Sequence, residues 1–134
     1  MIDIENEIFN SVATKLRSEY EGIFVSGEYV PSPTSFPAVS IEEKDNYTYA
    51  RGIDSSGEKF VSVMYEVNVY SNLTVGKKAQ AKEIMSKIDN EMLTIGFIRA
   101  SNQPMEMPNQ ETNIYRLVAR YRAVVSKDKQ IIRR

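Results

Sequence analysis

Apolar positions recur every four residues at Ile4, Ile8, Val12 and Leu16, widened by Phe9, Ala13 and Tyr20. Glu5, Glu7, Lys15, Arg17 and Glu19 lie off that stripe. The pattern predicts an amphipathic helix from about Asp3 to Tyr20, with Asp3 as N-cap, acids in its first turn and Gly22 as its stop. Ile23-Phe24-Val25 predicts a short strand. Pro31-Ser32-Pro33-Thr34-Ser35-Phe36-Pro37 predicts a loop, because proline lacks the N–H that a helix or interior strand requires. Ala38 to Glu43 reads as extended, with Val39 and Ile41 facing one way.

The period then changes to two. Val61, Val63, Tyr65, Val67 and Val69 alternate with Ser62, Met64, Glu66, Asn68 and Tyr70, which predicts a strand within Lys59–Tyr70. A turn at Asp54-Ser55-Ser56-Gly57 joins it to an extended stretch, Tyr47–Ile53, as a long hairpin whose tip extends beyond the sheet. A second helix is predicted over Val75–Ile95, capped by Thr74 and closed by Gly96. Its stripe is Ala81, Ile84, Met85, Ile88, Met92 and Ile95, with Leu93 beside them. Phe97-Ile98-Arg99-Ala100 starts another strand, which Pro104 and Pro108 confine to a sheet edge or loop. A last strand is predicted over Thr112–Ser126, and Lys127 to Arg134 reads as a basic, mobile end. Turn-linked strands and two one-sided helices predict an α+β, two-layer sandwich: a mainly antiparallel sheet of four to five strands with both helices on one face. A length of 134 residues fits a single domain.

Composition narrows the chemistry. The chain has neither cysteine nor histidine. Disulfides, Cys/His zinc sites and Ser-His-Asp or Cys-His catalysis are excluded, and catalysis in general is disfavoured. With no basic leader and no long apolar run, a soluble, intracellular protein is expected. The net charge of −1 conceals a division: residues 1–58 carry eleven acids and four bases, whereas residues 59–134 carry seven acids and thirteen bases. Such a division suits head-to-tail contact between copies, unless the fold interleaves the halves.

Several motifs fail as sites. Glu42, Glu43 and Asp45 could attract a cation, but Lys44 sits among them and they read as a solvated strand end. Gly76-Lys77-Lys78 lacks both the glycine five residues earlier (Ser71 stands there) and the Ser or Thr that a phosphate loop places after its lysine. Asn46-Tyr47-Thr48 and Asn72-Leu73-Thr74 match a glycosylation acceptor only by chance. No catalytic, cofactor-binding or metal-ligating residue is assigned.

Two groups suggest an interface. On the last strand Arg116, Arg120 and Arg122 share a face with Val118 and Val124, while Tyr115 and Tyr121 lie on the opposite face. Those aromatics cannot stack bases beside the arginines, so a protein partner fits better than nucleic acid, and an ordinary solvent face is the alternative. On this reading Arg120→Glu leaves the fold intact and impairs association. Tyr47, Tyr49 and Arg51 near the hairpin tip are the second group, with cross-strand packing as the alternative.

Four segments, in order, carry a family resemblance. Phe36-Pro37-Ala38-Val39-Ser40-Ile41-Glu42-Glu43-Lys44-Asp45-Asn46 is similar to the segment opening the sheet of tail terminator (tail completion) proteins of tailed bacteriophages and prophages. Tyr65-Glu66-Val67-Asn68-Val69-Tyr70-Ser71-Asn72 resembles their central strand. Ile95-Gly96-Phe97 and Tyr115-Arg116-Leu117-Val118-Ala119-Arg120-Tyr121 resemble their helix exit and closing strand. The resemblance implies a non-enzymatic structural protein without cofactor. It would form a ring, commonly a hexamer, that caps the head-proximal end of the tail tube and docks the head connector, with DNA passing through the lumen. The implied partners are copies of itself, the tube protein, the connector and, in contractile tails, the sheath, with no membrane involved. The implied location is the neck of the virion tail, assembled in the host cytoplasm. Another head–tail joining protein, or a small ligand- or nucleic-acid-binding α+β domain, are the rival readings.

Overall fold

In a computed structural model of the chain, residues 2–29, 33, 35–48, 53–54, 57–58, 60–105 and 114–132 are described, with 53–54, 57–58 and 101–105 described by backbone alone. Helix α1 (Glu5–Glu19) leads to β1 (Phe24–Ser26), β2 (Ala38–Thr48), the short pair β3 (Ile53–Asp54) and β4 (Gly57–Glu58), and β5 (Phe60–Ser71). Helix α2 (Lys77–Ile95), β6 (Ile98–Met105), β7 (Tyr115–Ser126) and β8 (Ile131–Ile132) follow. The main sheet has the order β1-β2-β5-β7-β6, with β8 also on β7. It is six-stranded rather than four- to five-stranded. All its pairings are antiparallel except β1 with β2. The α+β sandwich is the observed architecture.

Both helices bury their stripes on one sheet face. Ile8, Val12 and Leu16 of α1 and Ile84, Ile88 and Met92 of α2 join Val61, Val63, Tyr65, Val67 and Val69 in one cluster. Beyond the apolar area removed from water, the Tyr65 ring meets Phe97 edge-on, with centroids 5.5 Å apart. Leu93 departs from the predicted stripe: it follows Met92 by one position, about 100° around the helix, and is 46% exposed. Among the described residues, no helix is long and apolar enough to cross a membrane.

The helix starts differ from expectation. The N-cap of α1 is Ile4, and Asp3 serves it from one position earlier by accepting the Glu5 N–H at 3.0 Å. Gly76, not Thr74, precedes α2, because a turn over Thr74–Gly76 needs its φ of 89°. Gly96 ends α2 with φ 124°.

Strand β2 runs through the acid cluster instead of stopping before it, and Asp45 to Thr48 pair with Met64 to Val61 beyond an irregularity at Glu43/Asp45. Glu42, Glu43 and Asp45 therefore lie within a strand rather than at its end, with Glu42 and Glu43 half-buried and Asp45 exposed. Ile53 pairs with Glu58 and Asp54 with Gly57, as a hairpin here requires, while Ser55 and Ser56 of the predicted turn lie outside the described residues. Pro104 lies in β6, an edge strand, as its missing N–H requires. Lys127 to Ile132, expected to be mobile, fold back. Ser126 N–H donates to Gln130 O, Lys129 adopts φ 62°, and Ile131 pairs with Val125 while packing against the core.

Candidate docking surface

The register divides the helix-free face of the sheet into thirds. At one end Ala38, Tyr70 and Arg116 stand in a row, next to Ser40, Asn68 and Val118. This third is covered: Ser40, Asn68 and Tyr70 are all buried. Arg116 donates from Nε to Asn68 Oδ1 at 2.9 Å, and its guanidinium carbon lies 5.6 Å from the Tyr29 ring centroid and 5.9 Å from that of Tyr70. Burial raises the Tyr70 hydroxyl to a pKa of about 12. Arg116 is thus a structural residue, and aromatics do flank it, supplied by Tyr29 and Tyr70 rather than by its own strand.

The middle third is ionic. Glu66, 7% exposed, receives Arg120 Nη2 and Nε at 3.1 and 3.2 Å and has Lys44 Nζ 3.9 Å away. Lys44 also pairs with Glu42, whose carboxylate raises the pKa of the ammonium group. Arg120 is therefore engaged within the chain. A carboxylate this deep needs its cation, since an unpaired buried charge is costly.

The last third is open and apolar. Tyr47, Ser62, Val124 and Ile132 form one cross-strand row, followed by Asp45, Met64, Arg122 and Ile98. β8 and β6 share the same edge of β7 and leave a notch at Ala123, where a groove of about 450 Å³ runs on toward Leu93 and Gly96. Tyr47, Leu93, Ile98 and Ile132, all more than 40% exposed, line this groove. Exposed Arg122 stands beside them with no ion-pair partner among the described residues. An exposed apolar cluster with an arginine is the composition of an interface core.

Of the predicted interface residues, the structure brings Tyr47 and Arg122 together. It assigns Arg116 and Arg120 to internal contacts, and Tyr49 and Arg51 lie outside the described residues. Sequence reasoning missed Leu93, Ile98 and Ile132. The signal for Ile98 was available: it follows core residue Phe97, so strand alternation turns it outward.

The two sides of the sheet differ in charge. Where β1 ends, the β2 edge is flanked by the first residue of α1 and the segment preceding it. Glu5 Oε2 accepts the Glu43 N–H at 3.3 Å, and Asn46 Nδ2 donates to Ile2 O at 2.9 Å. Tyr65 donates its hydroxyl to Glu43 Oε1 at 3.0 Å. Burial, followed by the nearby Glu5 and Asp3 carboxylates, raises the pKa of Glu43 above the ordinary carboxylate range, and burial raises Tyr65 as well. At the other side a cleft of about 430 Å³ between α2 and β7 has Lys78, Lys82, Ser86 and Arg99 at its rim and Met85 and Leu117 among its walls. Arg99 Nη1 contacts Asp89 Oδ1 at 3.1 Å, and Tyr121 donates to the same oxygen at 3.0 Å. Among the described residues, no group of three or more acidic, histidine or cysteine side chains could hold a metal.

The raised Glu43 pKa fixes a sign. The folded state holds this proton more tightly than the unfolded chain, so ionised Glu43 costs stability above its folded pKa. That cost is relieved as pH falls toward the unfolded value of about 4.3. Glu43→Gln keeps an acceptor for Tyr65 and removes the charge. It is expected to raise Tm at pH 7, with the gain over the parent chain shrinking as melts are repeated toward pH 4.5. A lowered Tm at pH 7, or a difference independent of pH, would contradict the assignment.

Compared with known proteins, the chain matches no protein-family model and no curated relative.

Proposed function

We propose that the chain is a phage tail terminator that acts by assembly rather than chemistry. In this role copies form a ring, commonly a hexamer, on the head-proximal end of the tail tube, end tube growth and present the surface that receives the head connector. Tube protein, connector and, in a contractile tail, sheath are its partners in the neck of the virion, with DNA passing through the lumen. The observation that carries the reading is the largely apolar row of Tyr47, Ser62, Val124 and Ile132, extended by Ile98 and Leu93 at a sheet margin. A surface of this shape suits a protein subunit. The ordered resemblance of segments between Phe36 and Tyr121 supplies the identity of the machine.

Electron microscopy of particles lacking this protein tests the proposal. Tails of irregular length, unjoined to heads, are expected, with rescue by the parent chain. Ile98→Asp changes a residue 59% exposed and should leave the monomer folded while rescuing poorly. Tails of normal length joined to heads in the deletion would overturn the proposal.

A further inference from the structure

Two exposed charges on the open third of the helix-free face stand symmetrically about one strand. Asp45 of β2 and Arg122 of β7 are both in register with Met64 of β5, one on either side. Met64 alternates with core residues Val63 and Tyr65, and residues directly opposite in a ladder share a face, so all three point away from the helices. At ordinary strand spacing the two charges lie about 10 Å apart, with Met64 between them. Neither side chain makes an ion pair or hydrogen bond among the described residues. The adjoining row carries Tyr47, Ser62 and Val124 in the same strand order.

This layout is its own complement. A two-fold axis lying between two such faces, parallel to β5, exchanges left and right across that strand. It sets Asp45 of each copy over Arg122 of the other, Met64 over Met64, and Tyr47 of each over Val124 of the other, beside Ile132. An axis across the strands would instead set each charge over an apolar residue of its own strand or over its own like, which leaves it covered and unpaired. Stacked sheets lie about 10 Å apart, a gap that an extended arginine and an aspartate close between them. At the other end of the face Tyr29 caps Arg116, so the two sheets diverge there and contact is confined to the open rows.

From this symmetry we infer that the open third of the helix-free face binds the same third of a second copy, in a closed two-fold dimer held by reciprocal Asp45–Arg122 ion pairs. An interface limited to these rows belongs to the weak, transient class. Its ion pairs form beside Met64 and Tyr47, where partial desolvation strengthens them and rejects partners of the wrong sign. The dimer ends at two copies, so it is not the contact that builds a ring. Its role rests on the terminator reading: it covers Tyr47, Val124 and Arg122, and so keeps free subunits from docking until a tighter partner displaces the second copy.

Sedimentation velocity at about millimolar concentration, where a weak dimer is populated, tests this. The parent chain should run as monomer and dimer with nothing larger. Arg122→Glu places acids at both positions and Asp45→Lys places bases at both. Each variant should stay folded, since neither side chain has an internal partner, and each should sediment as a monomer. An equimolar mixture of the two should recover the dimer, because each copy then supplies the charge that the other lacks on both sides of the axis. Met64→Cys in this cysteine-free chain puts a thiol beside the axis, where a short bis-maleimide should link two copies. Adding Arg122→Glu to that variant should abolish the link. A monomeric parent chain, assembly beyond two copies, association that survives either reversal, or a mixture that stays dispersed overturns the inference. A monomeric parent chain that binds purified tail tubes, and loses them with Arg122→Glu, would assign the face to the tube alone. Irregular, headless tails in the deletion alongside a monomeric parent chain would leave the terminator reading intact and the dimer wrong; a dimer alongside normal tails would do the reverse.

Discussion

Val67→Asp is expected to abolish folding. Val67 is fully buried in β5, paired with Ile41 on one side and Ala119 on the other, beneath both helices. The cluster around it holds no cation, and its fully buried tyrosine hydroxyls, Tyr65 and Tyr121, already donate to Glu43 and Asp89. A carboxylate there either loses its hydration or takes up a proton, and on either path the cost is several kcal/mol. That is comparable with the whole stability of a typical domain, roughly 5–15 kcal/mol. Circular dichroism should show loss of native structure at 25 °C, with the protein recovered from the insoluble fraction. A soluble variant that melts cooperatively near the parent temperature would place Val67 away from the core. Val67→Ala is the milder companion. It leaves a cavity without adding charge and should fold with stability reduced by about 2 kcal/mol or somewhat more.

Arg120→Glu carries the second large effect, and here the fold reverses the expectation drawn from sequence. Read along β7, Arg120 is an outward-facing residue whose reversal spares the monomer. Across the sheet, it is the cation of Glu66, whose side chain is only 9% exposed. Reversal places two carboxylates on adjacent strands at one register position and leaves Lys44 alone to balance Glu66 and Glu42. Losing charge-assisted hydrogen bonds to a nearly buried carboxylate costs on the order of 2–3 kcal/mol, and opposed like charges add to it. The parent chain and the Arg120→Glu variant should therefore differ clearly in urea midpoint. Arg122→Glu, without an internal partner, should melt like the parent. Equal midpoints for the two reversals would remove the Glu66 contact from the stability of the fold. Glu66→Gln combined with Arg120→Glu should recover part of the loss, which a surface role for Arg120 would not produce.

The contrast between Arg120 and Arg122 marks what the chain reveals on its own. Period-two alternation placed Val61, Val63, Tyr65, Val67 and Val69 on the core face without error, and the four-residue spacing of Ile8, Val12 and Leu16 did the same for α1. Burial against helices leaves a strong local pattern, because every second or fourth residue answers to the same surface. The other sheet face leaves none. Glu66, Asn68 and Tyr70 look like solvent positions, yet all three are buried, by partners 28 to 54 residues away or by a tyrosine from the segment after β1. Polar burial depends on such long-range pairs, and nothing in a local window announces them. The acid run of β2 misled for a related reason. Glu43 continues the core-facing alternation of Val39 and Ile41 and meets the hydroxyl of a core tyrosine, whereas the irregularity beside Lys44 turns Asp45 to the other face. The docking surface was half legible: Tyr47 and Arg122 stood out by residue type, whereas Leu93 and Ile132 had been read as helix core and chain end.

The lateral separation of charge has a consequence for motion before contact. A molecule with carboxylates gathered along one margin and ammonium groups along the other carries an electric dipole lying in the plane of its sheet. In dilute salt, the field of a charged partner turns this molecule while the two are still about a Debye length apart, so that the margin of opposite sign leads. Most encounters between small globular proteins are spent searching orientations. Here the sheet itself acts as a compass needle, and added salt shortens the distance from which it is turned.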